Sequence, residues 1–342
     1  MKKRLHKFTT IALVLIYLVI AAGAIVRMTG SGMGCPDWPK CFGYLIPPTQ
    51  RDQLDWKPQH EYNKGEVIII GESLRLAKDD FVSSRQYNPV YWEPYTKHDY
   101  AVFNPYHTWI EYINRLLGAL SGLAILLVFA SSLSYWKTQK KITFLAFLTV
   151  VGILFQAWLG KTVVDSNLLP LKISLHMTMA LLLVGCLILL LYWSPAKKEI
   201  FTVSKTTKNI AYFGLILTLI QIGMGTQVRQ FIDVQMHAFN LSNTAAWLAK
   251  PPVLFFIHRS FSLLVFFVHA YLFVSFFKKG KIPTALQFML LFIGLEISTG
   301  ILMYYWDFAF ASQPLHLLFA SLLFGAQTFF IFVLKINNSR IR

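Results

Sequence analysis

Charged residues are scarce in this sequence, and acidic ones most of all. Charged side chains make up 14% of the 342 residues, with 16 Asp and Glu against 32 Lys and Arg, whereas hydrophobic residues make up 55%. A water-soluble domain needs more polar side chains than this to cover its surface, so the composition excludes an ordinary soluble protein. The N-terminus also lacks an Arg- and Ser-rich transit segment and a small-residue cleavage site. We therefore expect its first apolar run to be retained as a membrane helix.

Long apolar runs occur eight times along the chain. A helix needs about 20 mostly apolar residues, at roughly 1.5 Å per residue, to cross a hydrocarbon core of about 30 Å. The predicted spans cover residues 8–28, 107–135, 142–164, 170–193, 207–229, 252–277, 284–306 and 314–336. The sequence therefore predicts an all-α membrane protein with eight transmembrane helices.

The formal net charge of +16 is distributed unevenly. Seventeen Lys and Arg lie before span 1, after spans 2, 4 and 6, and in the C-terminal tail, and these segments share a single acidic residue, Glu199. The outer segment, residues 28–106, instead holds 8 basic and 10 acidic residues. Because membrane proteins keep their basic loops in the cytoplasm, this pattern predicts a bacterial inner-membrane protein with both termini cytoplasmic and segment 28–106 periplasmic. It also excludes nucleic acid as the partner that the net charge would suggest.

Only three cysteines are present. Cys35 and Cys41 lie in the predicted periplasmic segment, which is an oxidising compartment, whereas Cys186 lies within span 4. Five intervening residues are enough to close a bridge, so we expect a disulfide between the first two; a pair of free thiols in a turn is the alternative. A loop this small would constrain its surroundings locally or serve as a redox-active pair.

The two halves of the chain share a residue pattern. Spans 3 and 4 carry a Gln, a Gly and a His spaced 4 and 16 residues apart, and spans 7 and 8 carry a Glu, a Gly and a His at the same spacing. The matching residues are Gln156, Gly160 and His176 in the first half and Glu296, Gly300 and His316 in the second. The other spans align as well, pairing Arg27 with Arg229, Asn114 with His258, and Arg115 with Arg259.

This repeat predicts the domain organisation. Residues 1–193 and 209–342 each form a four-helix unit, related by a pseudo-two-fold axis along the membrane normal and joined by a cytoplasmic linker, 194–208. The long outer segment, residues 28–106, belongs to the first unit. Within it, the stretch EVIIIGESLRLAKDDFVSS predicts a short strand and a helical turn.

Three of the nine histidines, His176, His258 and His316, lie in the first turns of even-numbered spans. An imidazole inside a bilayer is costly unless it has a partner, so each is a candidate functional residue. His258 and His316 would face each other within one unit, as axial ligands of a haem do; a satisfied polar pair in the core is the alternative. Arg229 and Arg259, at the outer rim, could bind the haem propionates or extend to the interface.

The N-terminal unit offers fewer imidazoles. Its counterpart of His258 is Asn114, a poor haem ligand, which leaves His176 as the obvious axial donor and one open face for a substrate haem. Glu111 lies one turn from Asn114 on the same helix face. Its carboxylate could act as a base, hold a water molecule, or pair with a neighbouring arginine.

Further polar residues lie near this second site. His107, two turns above Asn114, could supply a second iron ligand or remain a capping, solvated residue. Arg27 and Arg115 could bind the propionates of the substrate haem or extend to the interface. His269, deeper in span 6, is expected to be a hydrogen-bonded core residue.

Together, the stretches GAIVRMTGSGMGCPDWPKCFG, IEYINRLLG, LKISLHMTMALL, FIHRSFSLL and QPLHLLFA resemble the heme A synthase family, from span 1 to span 8. The resemblance implies an oxidoreductase that converts a methyl group of haem O, its substrate, into a formyl group. Successive hydroxylations with water as the oxygen source would yield haem A for terminal oxidases.

The resemblance also implies a site map. Its residues are His258 and His316 for haem b, His176 and Asn114 for the substrate haem, Glu111 for the chemistry, and Cys35 with Cys41 for relaying electrons or receiving haem O from haem O synthase. A membrane electron acceptor, with a quinone as the candidate, and a homo-oligomer complete the expected partners.

One position departs from the family pattern. The sequence EYINR has Asn114 where the family usually has histidine in the pattern E-x-x-H-R. Either His176 alone holds the substrate iron, or His107 supplies the second bond, or the role of this unit has changed. An asparagine can still hydrogen-bond an iron-bound water.

Two other functions compete with this interpretation. A b-type membrane cytochrome that only passes electrons between a quinone and a partner would explain His258 and His316, but not the second site with Glu111. A transporter with repeated halves should have broken spans and ionisable residues near mid-bilayer. Most intramembrane polar residues here lie near the outer face, with Lys161 and Glu296 as exceptions, which disfavours transport.

Overall fold

The structure is a computed structural model, and it describes residues 2–96, 103–194, 199–239, 243–309 and 311–336. Within these ranges, eight helices are long and apolar enough to cross a membrane, which confirms the predicted fold class. Residues 195–198 of the predicted linker lie outside the described residues. The helices are α1 (Lys2–Met28), α2 (Pro105–Ser132), α3 (Lys140–Asp165), α4 (Pro170–Trp193), α5 (Lys205–Phe239), α6 (Val253–Phe277), α7 (Thr284–Tyr305) and α8 (Ser312–Val333).

Prolines mark several helix starts. Pro105 and Pro170 are the first residues of α2 and α4, where the fixed φ of proline suits a helix and its missing N–H costs no hydrogen bond. Pro252 and Pro283 directly precede α6 and α7. After α6 the chain reverses through Gly280, whose φ of 72° favours glycine.

Helix α5 is longer than the sequence predicted, since it continues past residue 229 to Phe239. The extension carries an ion pair between Arg229 and Asp233, 2.9 Å apart and four residues apart along the helix, a spacing that supports helical structure. Ile232 and Met236 on the same extension pack with Trp247. These contacts explain why the helix does not end at the predicted membrane boundary.

The described chain divides into two compact units, one of residues 1–24, 118–156 and 177–342 and the other of residues 25–117 and 157–176. We call them the helical unit and the loop unit. They are defined by contacts rather than by sequence order, and the predicted division into residues 1–193 and 209–342 stays a prediction.

In the loop unit, the outer segment forms short antiparallel strands. They are β1 (Glu61–Tyr62), β2 (Val67–Ile70), β3 (Ser73–Ala77), β4 (Phe81–Val82) and β5 (Trp92–Pro94), with β2, β3 and β5 in one sheet and β1 paired with β4. A strand was predicted here, but the expected helical turn is wrong: residues 73–77 form β3. The alternation in Ser-Leu-Arg-Leu-Ala, with period two, is typical of a strand.

Both faces of the three-stranded sheet are covered. Val67 and Ile69 pack with Cys35 and Cys41 on one face, whereas Ile68 packs with Trp92 and an aromatic cluster on the other. Successive side chains of a strand point to opposite faces, so a sheet covered twice needs an unbroken apolar strand. This accounts for the run Val-Ile-Ile-Ile and places the cysteine pair against the sheet.

Two large hydrophobic clusters lie in the helical unit, in addition to the packing of Ile232 and Met236 with Trp247. One includes Ile16, Ile125 and Leu187, and the other includes Leu272 and Phe330. The helices also expose large apolar side chains, which suit contact with lipid rather than water. Two further short strands, β6 (Phe201–Val203) and β7 (Leu334–Ile336), pair in parallel.

Candidate functional site

In the helical unit, α6 and α8 bring His258 and His316 together. Their ring centres are 6.4 Å apart, and the ring planes are inclined by 72°. Two metal–nitrogen bonds of about 2 Å, plus ~1 Å from each nitrogen to the centre of its ring, span roughly 6 Å. The separation therefore leaves room for one metal atom bonded by both imidazoles.

Among the described residues, one buried ring nitrogen of this pair is unsatisfied. His258 Nδ1 is buried and, within the described part of the chain, has no hydrogen-bond partner. A buried polar atom without a partner costs free energy, so its retention in a satisfied polar core would be unexplained. The role of His258 and His316 as iron ligands stays a prediction.

His316 is held through its other nitrogen. Its Nδ1 lies 2.9 Å from the Thr299 hydroxyl and 3.2 Å from a Glu296 carboxylate oxygen, both on α7. A histidine that binds a metal commonly donates its second ring N–H to a carboxylate or another acceptor. This leaves Nε2 of His316 as the nitrogen available to iron.

Each candidate ligand packs against a glycine of the preceding helix. A Cβ added at Gly160 would lie 3.2 Å from Cε1 of His176, and one at Gly225 would lie 3.1 Å from Cε1 of His258. The corresponding distance from Gly300 to Cε1 of His316 is 3.9 Å. The His176 and His258 rings are therefore tightly packed against Gly160 and Gly225, whereas Gly300 leaves an ordinary van der Waals contact to the His316 ring.

The arginines predicted for this site already have partners. Arg229 pairs with Asp233 and donates a hydrogen bond to the Gln313 side-chain oxygen. The exposed Arg259 guanidinium lies 5.1 Å from the ring centre of Tyr304, a distance typical of a cation–π contact. Their role as propionate ligands stays a prediction.

In the loop unit, Glu111 lies in α2 and is 3% exposed. One carboxylate oxygen accepts a hydrogen bond from the Cys35 backbone N–H at 2.8 Å, and the other pairs with Arg115, one turn further along the helix. The ion pair that the sequence left as one alternative is therefore present. Since each carboxylate oxygen has a second lone pair, the pairing leaves capacity to hold a water or a proton.

Arg115 points to the cysteine loop. Its guanidinium donates hydrogen bonds to the backbone carbonyls of Asp37 at 2.6 Å, Lys40 at 3.0 Å and Cys35 at 3.4 Å. Three carbonyls and the Glu111 carboxylate thus converge on one cation. The sequence missed this arrangement because backbone carbonyls leave no residue signature; binding of a propionate by Arg115 stays a prediction.

The cysteine loop is closed by a buried disulfide. Cys35 and Cys41 form a disulfide, with 0% and 1% of their surface exposed. The Asp37 carboxylate accepts hydrogen bonds from the backbone N–H groups of Phe42 at 2.6 Å and Gly43 at 2.8 Å. Burial raises the pKa of Asp37, although these two N–H groups and Arg115 act in the opposite direction.

Glycine at position 34 lets the loop approach α2 closely. A Cβ at Gly34 would lie 2.4 Å from the carbonyl oxygen of His107, and the Thr108 hydroxyl donates to the Gly34 carbonyl at 2.8 Å. The disulfide loop is therefore fixed beside the first two turns of α2, which include Glu111.

The remaining predicted residues of this site lie on α1, α2 and α4. Arg27 is in the last turn of α1. His107 is in the first turn of α2. The Asn104 side chain caps this turn by accepting hydrogen bonds from the backbone N–H groups of Tyr106 at 3.0 Å and His107 at 3.4 Å. In the described chain, the buried Asn114 Oδ1 has no hydrogen-bond partner, an open acceptor that suits a water or a ligand.

His269 is the hydrogen-bonded core residue that the sequence predicted. It is 0% exposed, its Nδ1 lies 2.7 Å from the Val265 carbonyl, and its Nε2 lies 2.7 Å from Gln327 Nε2. Both ring nitrogens are thus used, so His269 is not available to a metal.

Comparison with known families gives a decisive match. The family model COX15-CtaA, described as cytochrome oxidase assembly protein, matches residues 6–67 and 69–328. The chain belongs to this family. The predicted family is therefore confirmed, and the COX15-CtaA match runs through all eight helices.

Individual COX15-CtaA relatives are similar at low identity. Heme A synthase from Shewanella oneidensis is 28% identical over 213 residues, which cover 62% of this chain and 52% of that protein. Heme A synthase from Wolbachia pipientis wMel is 24% identical over 94% of this chain and 90% of its own length. The Rickettsia felis heme A synthase is 23% identical over 98% of this chain and 99% of its own length. The chain thus spans about half of the first relative and nearly all of the other two.

Proposed function

We propose that this protein is a heme A synthase, an oxidoreductase that converts a methyl group of haem O into a formyl group. Family membership and the name shared by its relatives support the reaction class. The observation that carries the proposal is the buried Glu111 carboxylate, held by the Cys35 N–H and Arg115 in the unit that also contains His176. A simple electron carrier has no use for such a group.

The chemistry balances with water as the oxygen source. Each of two hydroxylations adds one oxygen from water to the methyl carbon and releases two protons and two electrons. The resulting geminal diol loses one water to give the aldehyde. The net reaction consumes one water and releases four electrons, which pass to a membrane acceptor such as a quinone, and four protons.

Residues of the helical unit would hold the resident haem b. His258 and His316 supply two imidazole ligands, while Arg229 and Arg259 are the candidate partners of its propionates. The bound haem b would supply one-electron transfer. The task of the protein is to fix the two rings, which Thr299 and Glu296 do for His316.

Residues of the loop unit would hold haem O. His176 would bind its iron, Arg27 and Arg115 would bind its propionates, and Asn114 or His107 would supply a further contact to the substrate. An open position suits a substrate, because a product has to leave. Glu111 acts as the base that accepts a proton from the attacking water or holds that water in place.

One hydrogen bond from the disulfide loop, together with the ion pair to Arg115, fixes Glu111. Because both carboxylate oxygens have partners, the side chain has little freedom to rotate, and a fixed base adjacent to a bound substrate lowers the entropic part of the barrier. The loop thereby contributes to catalysis by position, independently of any relay of electrons through its disulfide.

The setting proposed for the reaction is the bacterial inner membrane. Both termini would lie in the cytoplasm and the loop unit's strands in the periplasm, as the distribution of basic residues predicts. Haem O synthase would deliver the substrate, and a homo-oligomer is the proposed assembly.

A b-type cytochrome is the second candidate, favoured by the His258–His316 geometry taken alone. It would bind haem and pass electrons between a quinone and a partner protein. Unlike a heme A synthase, it would leave haem O unchanged.

Co-expression with a haem O synthase, followed by extraction and mass analysis of haems, separates the two functions. Wild type should yield haem A, and Glu111→Ala and His176→Ala should yield little or none while retaining haem b. The matched control is Glu61→Ala, which removes an exposed carboxylate from the outer segment. Absence of haem A in wild type would refute the enzyme, and undiminished haem A in both variants would refute the site.

A further inference from the structure

Glu296 lies inside the apolar span α7, with its side chain 17% exposed. A carboxylate within a membrane helix is costly and marks a functional position. One oxygen lies 3.2 Å from His316 Nδ1, and the other is buried without a hydrogen-bond partner in the described residues. The histidine is therefore the partner that accounts for this carboxylate.

The contact determines which nitrogen of His316 carries the proton. A neutral imidazole bound to iron through Nε2 keeps its hydrogen on Nδ1, where it can only donate. Two oxygen acceptors, Thr299 Oγ1 and a Glu296 carboxylate oxygen, converge on that nitrogen. Both come from the same face of α7, since residues three apart are neighbours on a helix.

A glycine of the same helix also lies near the His316 ring. Gly300 lies one turn beyond Glu296 and beside the His316 ring, where a Cβ added to the glycine would be 3.9 Å from Cε1 of the histidine. The ring thus lies against bare backbone on one side and is held by two oxygens at Nδ1. In the first half of the chain, the residue at the same spacing from His176 is the uncharged Gln156.

We propose that Glu296 is a positioning residue that orients His316 and tunes the iron it binds. A carboxylate acceptor makes the imidazole a stronger electron donor, which favours the oxidised iron and lowers the reduction potential. This inference rests on the proposed binding of haem b by His258 and His316. It assigns the Glu296 carboxylate to the haem that is retained.

The test is the midpoint reduction potential and low-spin EPR spectrum of purified holoprotein. Glu296→Gln keeps the size of the side chain and one acceptor oxygen but removes the carboxylate. We expect haem b to be retained, the potential to shift upward and the EPR g values to change. Thr299→Val, which leaves the carboxylate, should give a smaller shift. Glu199→Gln removes an exposed carboxylate that pairs with Lys281 and should give none.

The outcomes separate this inference from the proposed function. If wild type shows no bis-histidine haem, the cofactor assignment fails. If wild type shows it, and Glu296→Gln retains haem with an unchanged potential and spectrum, the role of Glu296 is refuted. Should Glu296→Gln not fold, Glu296→Asp decides: a shifted potential supports the proposal, and an unchanged one overturns it.

Discussion

The two candidate sites differ in the number of imidazoles each provides and in the groups that hold their polar residues. The helical unit pairs His258 with His316 at 6.4 Å between ring centres. The His316 ring is also held at Nδ1 by Thr299 and Glu296. The loop unit offers His176, while its buried carboxylate, Glu111, is clamped by an extramembrane loop. A cofactor that stays is best served by two permanent ligands. A substrate that must leave is better served by fewer bonds and a reactive group beside it.

The largest effect should come from the histidine pair. His258→Ala or His316→Ala removes one of two axial bonds, so the purified protein should lose its haem b, measured by the pyridine haemochrome spectrum. His60→Ala, a change at an exposed histidine of the outer segment, is the control and should leave the haem content unchanged. Full haem b in either ligand variant would contradict the assignment of this site as the one that retains its haem.

Removal of Arg115 should release the disulfide loop. Arg115→Ala withdraws the cation from three loop carbonyls and leaves the buried Glu111 unpaired, a loss of about 3–5 kcal/mol for a buried pair. Reduction of Cys35–Cys41 by a water-soluble reductant, followed by maleimide gel shift, should be at least about tenfold faster, since ~1.4 kcal/mol corresponds to a factor of ten.

The matched variants for this prediction are Arg115→Lys and Arg259→Ala. Lysine keeps the charge but cannot donate to several carbonyls at once, so an intermediate rate is expected. Arg259 is an exposed arginine in the helical unit, and its removal should not change the rate. Equal rates in wild type and Arg115→Ala would show that the carbonyl contacts do not hold the loop.

A smaller effect is expected from the glycines beside the rings. The methyl group added by Gly225→Ala would lie 3.1 Å from Cε1 of His258, whereas that of Gly300→Ala would lie 3.9 Å from Cε1 of His316. A contact as short as that of Gly225→Ala overpacks the site, which costs about 1 kcal/mol or more. Haem transfer to an apoglobin should therefore be roughly fivefold faster from Gly225→Ala than from wild type. Gly300→Ala should resemble wild type, and a reversed order would refute the proposed ring packing.

The sequence predicts the structure of the two sites to different extents. The length of the apolar runs was enough to predict the eight spans. The loop unit was predicted less well: Arg115 was expected at a propionate, yet its partners in the structure are backbone carbonyls, which any residue provides. The strand β3 was missed although its residues alternate with period two, and the extension of α5 was missed because local packing, not hydrophobic length, determines where that helix ends.

The smallest predicted effect is the pH dependence of the disulfide loop. Burial raises the pKa of Asp37, so the folded loop holds this proton more tightly than the unfolded chain, whose Asp pKa is about 4. The contribution of Asp37 to stability is therefore fully present below the pKa of the unfolded chain. It is lost as pH rises through the raised pKa of the folded protein. The difference in thermal midpoint between wild type and Asp37→Asn should change across this window. A difference that is constant with pH would contradict a raised pKa.

The separation of a retained haem from a converted one is tested most directly by a single variant, His176→Ala, co-expressed with a haem O synthase. Haem b content and haem A yield are measured on the same membranes. The account predicts wild-type haem b with little or no haem A. Loss of haem b, or production of haem A at the wild-type level, would contradict it.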